Sequence, residues 1–122
     1  MAKSSHSKTV RQAWAHRLDS AQVREAFDEA TVDAYGDYEK HTALLTAIGD
    51  EFAFPFSAVV LGETVQVVGM EWREEDGLGL DLVCERNGDQ HRIEARSVEL
   101  VEPFPEGHLF LAAYLMWRTH GV

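Results

Sequence analysis

Eight carboxylates fall between Glu25 and Glu51: Glu25, Asp28, Glu29, Asp33, Asp37, Glu39, Asp50 and Glu51. A second group, Glu71, Glu74, Glu75 and Asp76, stands beside Gly77. Carboxylates at this density repel one another unless water, basic side chains or a cation screens them. The nearby bases, Arg24, Lys40 and Arg73, are too few to do so. Two chemistries fit. One is a solvated acidic surface, and the other is the binding of a hard divalent cation through oxygen ligands. The asymmetry of charge sharpens the question. The formal net charge is −10, yet the first eighteen residues carry Lys3, Lys8, Arg11 and Arg17 and no acid, so the remainder carries −14.

Within the first group, Asp33, Asp37 and Glu39 surround Gly36. Glu25, Glu29, Asp33 and Asp37 are spaced by four, which advances about 40° per step on a helix, so the first three share a face if the helix continues. Gly36 interrupts it. A broken helix frees backbone carbonyls, and Ca²⁺ takes about 6–8 oxygens, carboxylate and carbonyl alike. Asp33, Asp37 and Glu39 are therefore candidate ligands. The spacing is not that of an EF-hand, whose twelve-residue loop ends in a bidentate Glu. In the second group, Glu74, Glu75 and Asp76 precede Gly77 and can wrap a cation at short reach, or simply form an exposed hairpin loop.

Other chemistries find no support. His6, His16, His41, His91, His108 and His120 pair at no metal-ligand spacing, and there is no cysteine pair, so a structural zinc site is not expected. His41 reads as a surface residue or as a partner to the acidic segment. Cys84 lies in an apolar run and reads as a small core side chain. No nucleophile elbow, Walker motif or phosphate-binding glycine loop is present, and Ser57 and Thr64 have no recognisable base, so no enzyme is expected. The acidic balance argues against nucleic acid, whose phosphates are bound by Lys and Arg. Leu109 to Trp117, the most apolar segment, is far short of the ~20 residues of a membrane helix. With one cysteine and no signal-like apolar stretch, a cytoplasmic location is expected.

The elements that must position these residues follow from periodicity and turn chemistry. A chain of 122 residues suits one domain with one core. Residues 1–18 read as a basic, partly helical extension, and residues 19–122 as a single acidic α+β domain. Val10, Trp14 and Leu18 predict a helix from Lys8 to Leu18. Asp19 or Ser20 then caps a second helix, with Gln22 completing a capping-box pattern. Val23, Phe27, Ala30 and Ala34 form its stripe. A third helix restarts at Asp37, with Tyr38, Leu44, Leu45 and Ile48 inward, and ends at Gly49. Pro55 marks the change to strands at 56–61, 64–70, 78–84 and 91–95, with a short strand or turn at 98–101. Gly62-Glu63 and Asn87-Gly88 supply turns, a polar loop covers 72–77, and a last helix spans about His108 to Thr119. The prediction is an α+β fold: N-terminal helices, a five-stranded antiparallel SH3-like barrel or sheet, and a C-terminal helix. Phe52, Phe54, Phe56, Tyr114 and Trp117 read as core, with Phe104 and Phe110 pinning the last helix. A peptide groove lined by aromatics is the alternative.

Three segments also match a known pattern: Val32-Asp33-Ala34-Tyr35-Gly36-Asp37-Tyr38-Glu39, then Phe54-Pro55-Phe56-Ser57-Ala58, then Glu63-Thr64-Val65-Gln66-Val67-Val68-Gly69-Met70. Over roughly residues 28 to 101 the chain resembles the small bacterial calcium-binding proteins of the CcbP type. In those, an acid-bearing D-A-Y helix segment precedes an F-P-F entry strand, then an E-x-V-x-V-x-G-M strand and an acidic loop. The resemblance implies an acidic α+β protein that binds Ca²⁺ and buffers or senses it. Three features depart from the pattern: the basic extension has no counterpart, the acidic loop is short and carries Arg73, and Lys40 and His41 stand where acid is expected. The other functional reading is a non-enzymatic module with an SH3-like barrel that binds a protein partner through its acidic face or basic head.

Overall fold

The computed structural model describes residues 13–73 and 79–120. The elements, in chain order, are α1 (Ala13–His16), α2 (Ser20–Ala30), α3 (Gly36–Glu51), β1 (Phe56–Val60), β2 (Glu63–Arg73), β3 (Gly79–Arg86), β4 (Asp89–Glu94), β5 (Glu99–Leu100) and α4 (His108–His120), with a 3₁₀ turn at Ala95–Ser97. The fold is α+β, as expected. The sheet is antiparallel and open, in the order β4-β3-β2-β1-β5.

The hairpins set the register. Asn87 and Gly88 both take positive φ (56° and 86°), so Arg86 faces Asp89 and the pairing counts outward from there. A bulge between Val67 and Gly69 shifts β2 against β3 and keeps Val67, Met70 and Trp72 level with Cys84, Leu82 and Leu80. That face carries the buried Val65, Val67, Leu80, Leu82 and Cys84 and packs into one core with Leu44, Leu45 and Ile48 of α3 and Leu111 to Leu115 of α4. Trp14 and Ala15 are buried in the same core, Trp14 against Phe104 with ring centroids 5.8 Å apart. The aromatic core forms as expected around Phe52, whose ring meets Phe54 at 5.7 Å and Phe56 at 4.9 Å. Cys84 is buried, and desolvation pushes its thiol pKa up.

Several boundaries differ from expectation. The Asp19 side chain caps α2, accepting the Ala21 N–H at 2.8 Å, but among the described residues no Gln22 bond completes a box. Helix α2 ends at Ala30 and not at Ala34. Thr31 is its C-cap (φ −105°, ψ 16°): its N–H makes the last helical bond to the Phe27 carbonyl at 3.0 Å, and its hydroxyl donates to the same oxygen at 2.7 Å. Helix α3 runs through Gly49 to Glu51, closed by the Phe52 N–H on the Ile48 carbonyl at 2.9 Å. Gly49 lies where the helix passes Met70, whose sulfur would be 3.8 Å from an added Cβ. Strand β2 extends through Trp72 and Arg73, which were expected in a loop. Ala95 begins the 3₁₀ turn and does not continue the fourth strand.

Two side chains of α3 exchange places. His41 is 1% exposed and Tyr38 is 56% exposed. Both lie on the stripe of Leu44, Leu45 and Ile48, but the packing partners reach only as far as His41. There its Nε2 is 3.1 Å from the Tyr114 hydroxyl on α4. The ring also meets Tyr114 edge-on at 5.3 Å and Trp117 at 6.1 Å.

Candidate functional site

The α2–α3 junction is built by two local decisions. Thr31 ends one helix, and Gly36 (φ +85°) starts the next in a conformation that a side chain resists. Tyr35, extended at φ −121°, ψ 123°, is the N-cap of α3, yet its side chain caps nothing. The N–H of the cap residue is held instead from within the helix, Glu39 accepting it on Oε1 at 2.8 Å. Asp37 and Glu39 both lie in the first turn, where the positive end of the helix dipole favours them. Thr42 donates its hydroxyl to the Tyr38 carbonyl at 3.0 Å.

Asp33 and Glu39 line one shallow depression of about 350 Å³, shared with Val32, Tyr38 and Thr42. Asp37 does not line it. Two residues apart on a helix, Asp37 and Glu39 project about 200° from one another, so the turn that holds both also separates them. Among the described residues no three of His, Cys, Asp and Glu gather so as to hold a metal ion. The helix face expected to carry Glu25, Glu29 and Asp33 is cut short, because α2 ends before Asp33. Glu25 and Glu29 instead line a separate groove with Glu51 and Glu106 beside the start of α4, and Asp28 pairs with Arg24 at 3.5 Å.

The second expected group, Glu74, Glu75 and Asp76, lies outside the described residues. Its stem is described, and it holds an arrangement that sequence reasoning missed. Glu71, Asp81 and Glu94 occupy one rung across β2, β3 and β4. Like charges directly opposite one another destabilise a sheet. Arg92 reaches Glu71 at 3.4 Å and Arg96 reaches Glu94 at 3.1 Å, while Asp81 is buried between them. The signal was available: counting outward from Asn87-Gly88 sets Asp81 opposite Glu94.

Together the elements define the class: an α+β protein whose open antiparallel meander carries α-helices against one face, with an acid-bearing break between α2 and α3. No family model matches the sequence, and no curated protein matches it significantly. Among solved structures, CcbP of Anabaena is similar to this chain with a TM-score of 0.61, at 19% identity, over 85% of this chain and 94% of that one. At that identity the likeness is one of fold, and it agrees with the resemblance read from the three sequence segments. Among the described residues no helix is long and apolar enough to cross a membrane.

Proposed function

We propose that the protein is a non-enzymatic calcium-binding protein, a buffer or sensor of modest affinity, with Asp33 and Glu39 at the α2–α3 junction as ligands, Asp37 as a neighbouring charge outside the depression, and Glu74, Glu75 and Asp76 as a second acidic cluster. The observation that carries the reading is the placement of Asp33 and Glu39 on one depression across the helix break. The fold shared with CcbP and the sequence resemblance to calcium-binding proteins of that type support it. Two carboxylates and a few loop carbonyls leave most of the ~6–8 oxygens to water, so the expected Kd is about 10⁻⁴–10⁻³ M. Calcium is favoured over magnesium, because a helix break offers no near-ideal octahedron.

Calorimetric titration of metal-free protein tests the reading. Ca²⁺ should bind saturably, and Asp33→Asn or Glu39→Gln should weaken it roughly tenfold, the equivalent of about 1.4 kcal/mol. Millimolar Ca²⁺ should also raise the Tm beyond the rise given by NaCl at matched ionic strength. An equal rise with NaCl would reduce the effect to screening. An absence of binding heat with the parent protein would end the calcium reading, whereas isotherms that neither substitution changes would move the site to Glu74, Glu75 and Asp76.

A further inference from the structure

The α2–α3 junction is apolar as well as acidic. Six large hydrophobic residues are exposed among the described ones, and three of them, Val32, Tyr35 and Tyr38, lie within seven residues here, 74%, 80% and 56% exposed. Among the described residues neither tyrosine hydroxyl makes a hydrogen bond. Val32 and Tyr38 line the depression together with Ala30, Ala34 and Ala43, so its floor is mostly small and apolar. Burying any of the three residues would have added to the core, yet the helix break holds all of them outward. Clustered exposed apolar surface of this kind marks a contact site, and tyrosine is among the residues that dominate contact energies.

The chemistry of the occupant follows from what surrounds the tyrosines. Asp33, Asp37 and Glu39 alternate with them along the chain, Asp33 and Glu39 share the depression with Tyr38, and Asp28 and Glu29 precede them on α2. Against these stand Arg24, already paired with Asp28, and Lys40. An acidic partner would be repelled, and a purely apolar one would leave the carboxylates facing it without compensation. A basic segment satisfies both parts of the surface. Arginine suits it better than lysine: a guanidinium stacks on a tyrosine face while its fork of N–H groups meets a carboxylate. We propose that the α2–α3 junction is a docking surface for an arginine-rich segment of a protein partner, with Tyr35 and Tyr38 as the stacking platforms and Asp33 and Asp37 as the counter-charges. The proposal does not rest on calcium binding, and its test uses metal-free protein, so either reading can fail without the other.

The test is fluorescence anisotropy with the full chain in EDTA and labelled dodecapeptides of alternating Arg-Ala, Lys-Ala and Glu-Ala. The Arg peptide should bind saturably at low salt, roughly fivefold tighter than the Lys peptide, and the Glu peptide should not bind. The double substitution Tyr35→Ser/Tyr38→Ser should weaken the Arg peptide about tenfold and erase the preference for Arg over Lys. The double substitution Asp33→Asn/Asp37→Asn should weaken both basic peptides, flatten their salt dependence and preserve the preference. All four positions are exposed; the melt of the tyrosine variant should match the parent closely, and that of the aspartate variant should fall by at most a few degrees at low salt, the effect of one charge lost from the first turn of α3. Three results would overturn the proposal: no saturable binding of the Arg peptide, binding that the tyrosine substitutions leave unchanged, or a concentration-dependent self-association by sedimentation that those substitutions abolish, which would make a second copy the occupant.

Discussion

Helix α3 has two ends of opposite character, and each is marked by a glycine with positive φ. At its N-terminal end Gly36 (φ +85°) has no atom within 4 Å of where a Cβ would stand, and its neighbours Tyr35, Asp37 and Tyr38 are exposed. At its C-terminal end Gly107 (φ +91°), from the loop before α4, approaches so closely that a Cβ would lie 2.8 Å from the Glu51 Cβ and 3.1 Å from the Phe52 ring. The same backbone device therefore serves two ends. At one it lets the α4 loop close over a packed phenylalanine cluster. At the other it only turns the chain, and the side chains it displays contribute little burial. Packing is concentrated at the Gly107 end, while Tyr35, Asp37 and Tyr38 at the other end stand in solvent.

The largest effect that would test this contrast is Gly107→Ala. It combines the cost of a left-handed side chain, about 1–2 kcal/mol, with overpacking of about 1–3 kcal/mol against Glu51 and Phe52. Urea unfolding should show a loss of roughly 2–5 kcal/mol. Gly36→Ala should lose only the first part, about 1–2 kcal/mol, because nothing stands in the way of the methyl group. If Gly36→Ala proved the more damaging, the two ends would not differ in packing as described, and the open end would have to be held by contacts that its exposure denies.

How far the sequence foretold these ends depends on the range of the deciding interaction. Asn87-Gly88 was legible because a type I′ turn is decided by its own two residues. The β1–β2 turn has the same geometry, with Leu61 at φ 51° and Gly62 at φ 81°, but a leucine there sends no such signal, so Gly62-Glu63 reads as the turn, one residue late. Periodicity marked the inward face of α3 correctly at Leu44, Leu45 and Ile48. It could not say where that face loses its partner, so Tyr38 was expected inside and His41 outside. The residue that settles His41 is Tyr114, 73 positions away. The acidic junction was half legible. The carboxylates and the break at Gly36 could be read directly. Helix geometry parts Asp37 from Glu39, although both read as ligands of one site, and the position of Asp33 depends on α2 ending at Ala30 and not at Ala34. The apolar spacing of Ala30 and Ala34 continues past the true end of the helix, so periodicity alone does not mark it.

The smallest expected effect concerns how the open end holds itself without packing. Glu39 does two things there: its Oε1 accepts the Tyr35 N–H at 2.8 Å, and its charge sits in the first turn of α3. Glu39→Gln keeps an acceptor of the same reach and removes only the charge, so it should cost about 0.3–1 kcal/mol at low ionic strength. Glu39→Ala removes the acceptor as well and should cost about 0.5–1.5 kcal/mol more, the net worth of one hydrogen bond. The two variants should also respond differently to salt. At about 1 M NaCl the Debye length is near 3 Å, so the deficit of the Gln variant should largely vanish while the additional deficit of the Ala variant persists. Denaturant midpoints of the parent and both variants, at low and high salt, separate the two contributions. Equal midpoints for the Gln and Ala variants would mean that the bond to Tyr35 contributes nothing. The open end would then rest on charge alone, and a cation or a basic segment arriving at Glu39 would compete directly with what holds the helix start in place.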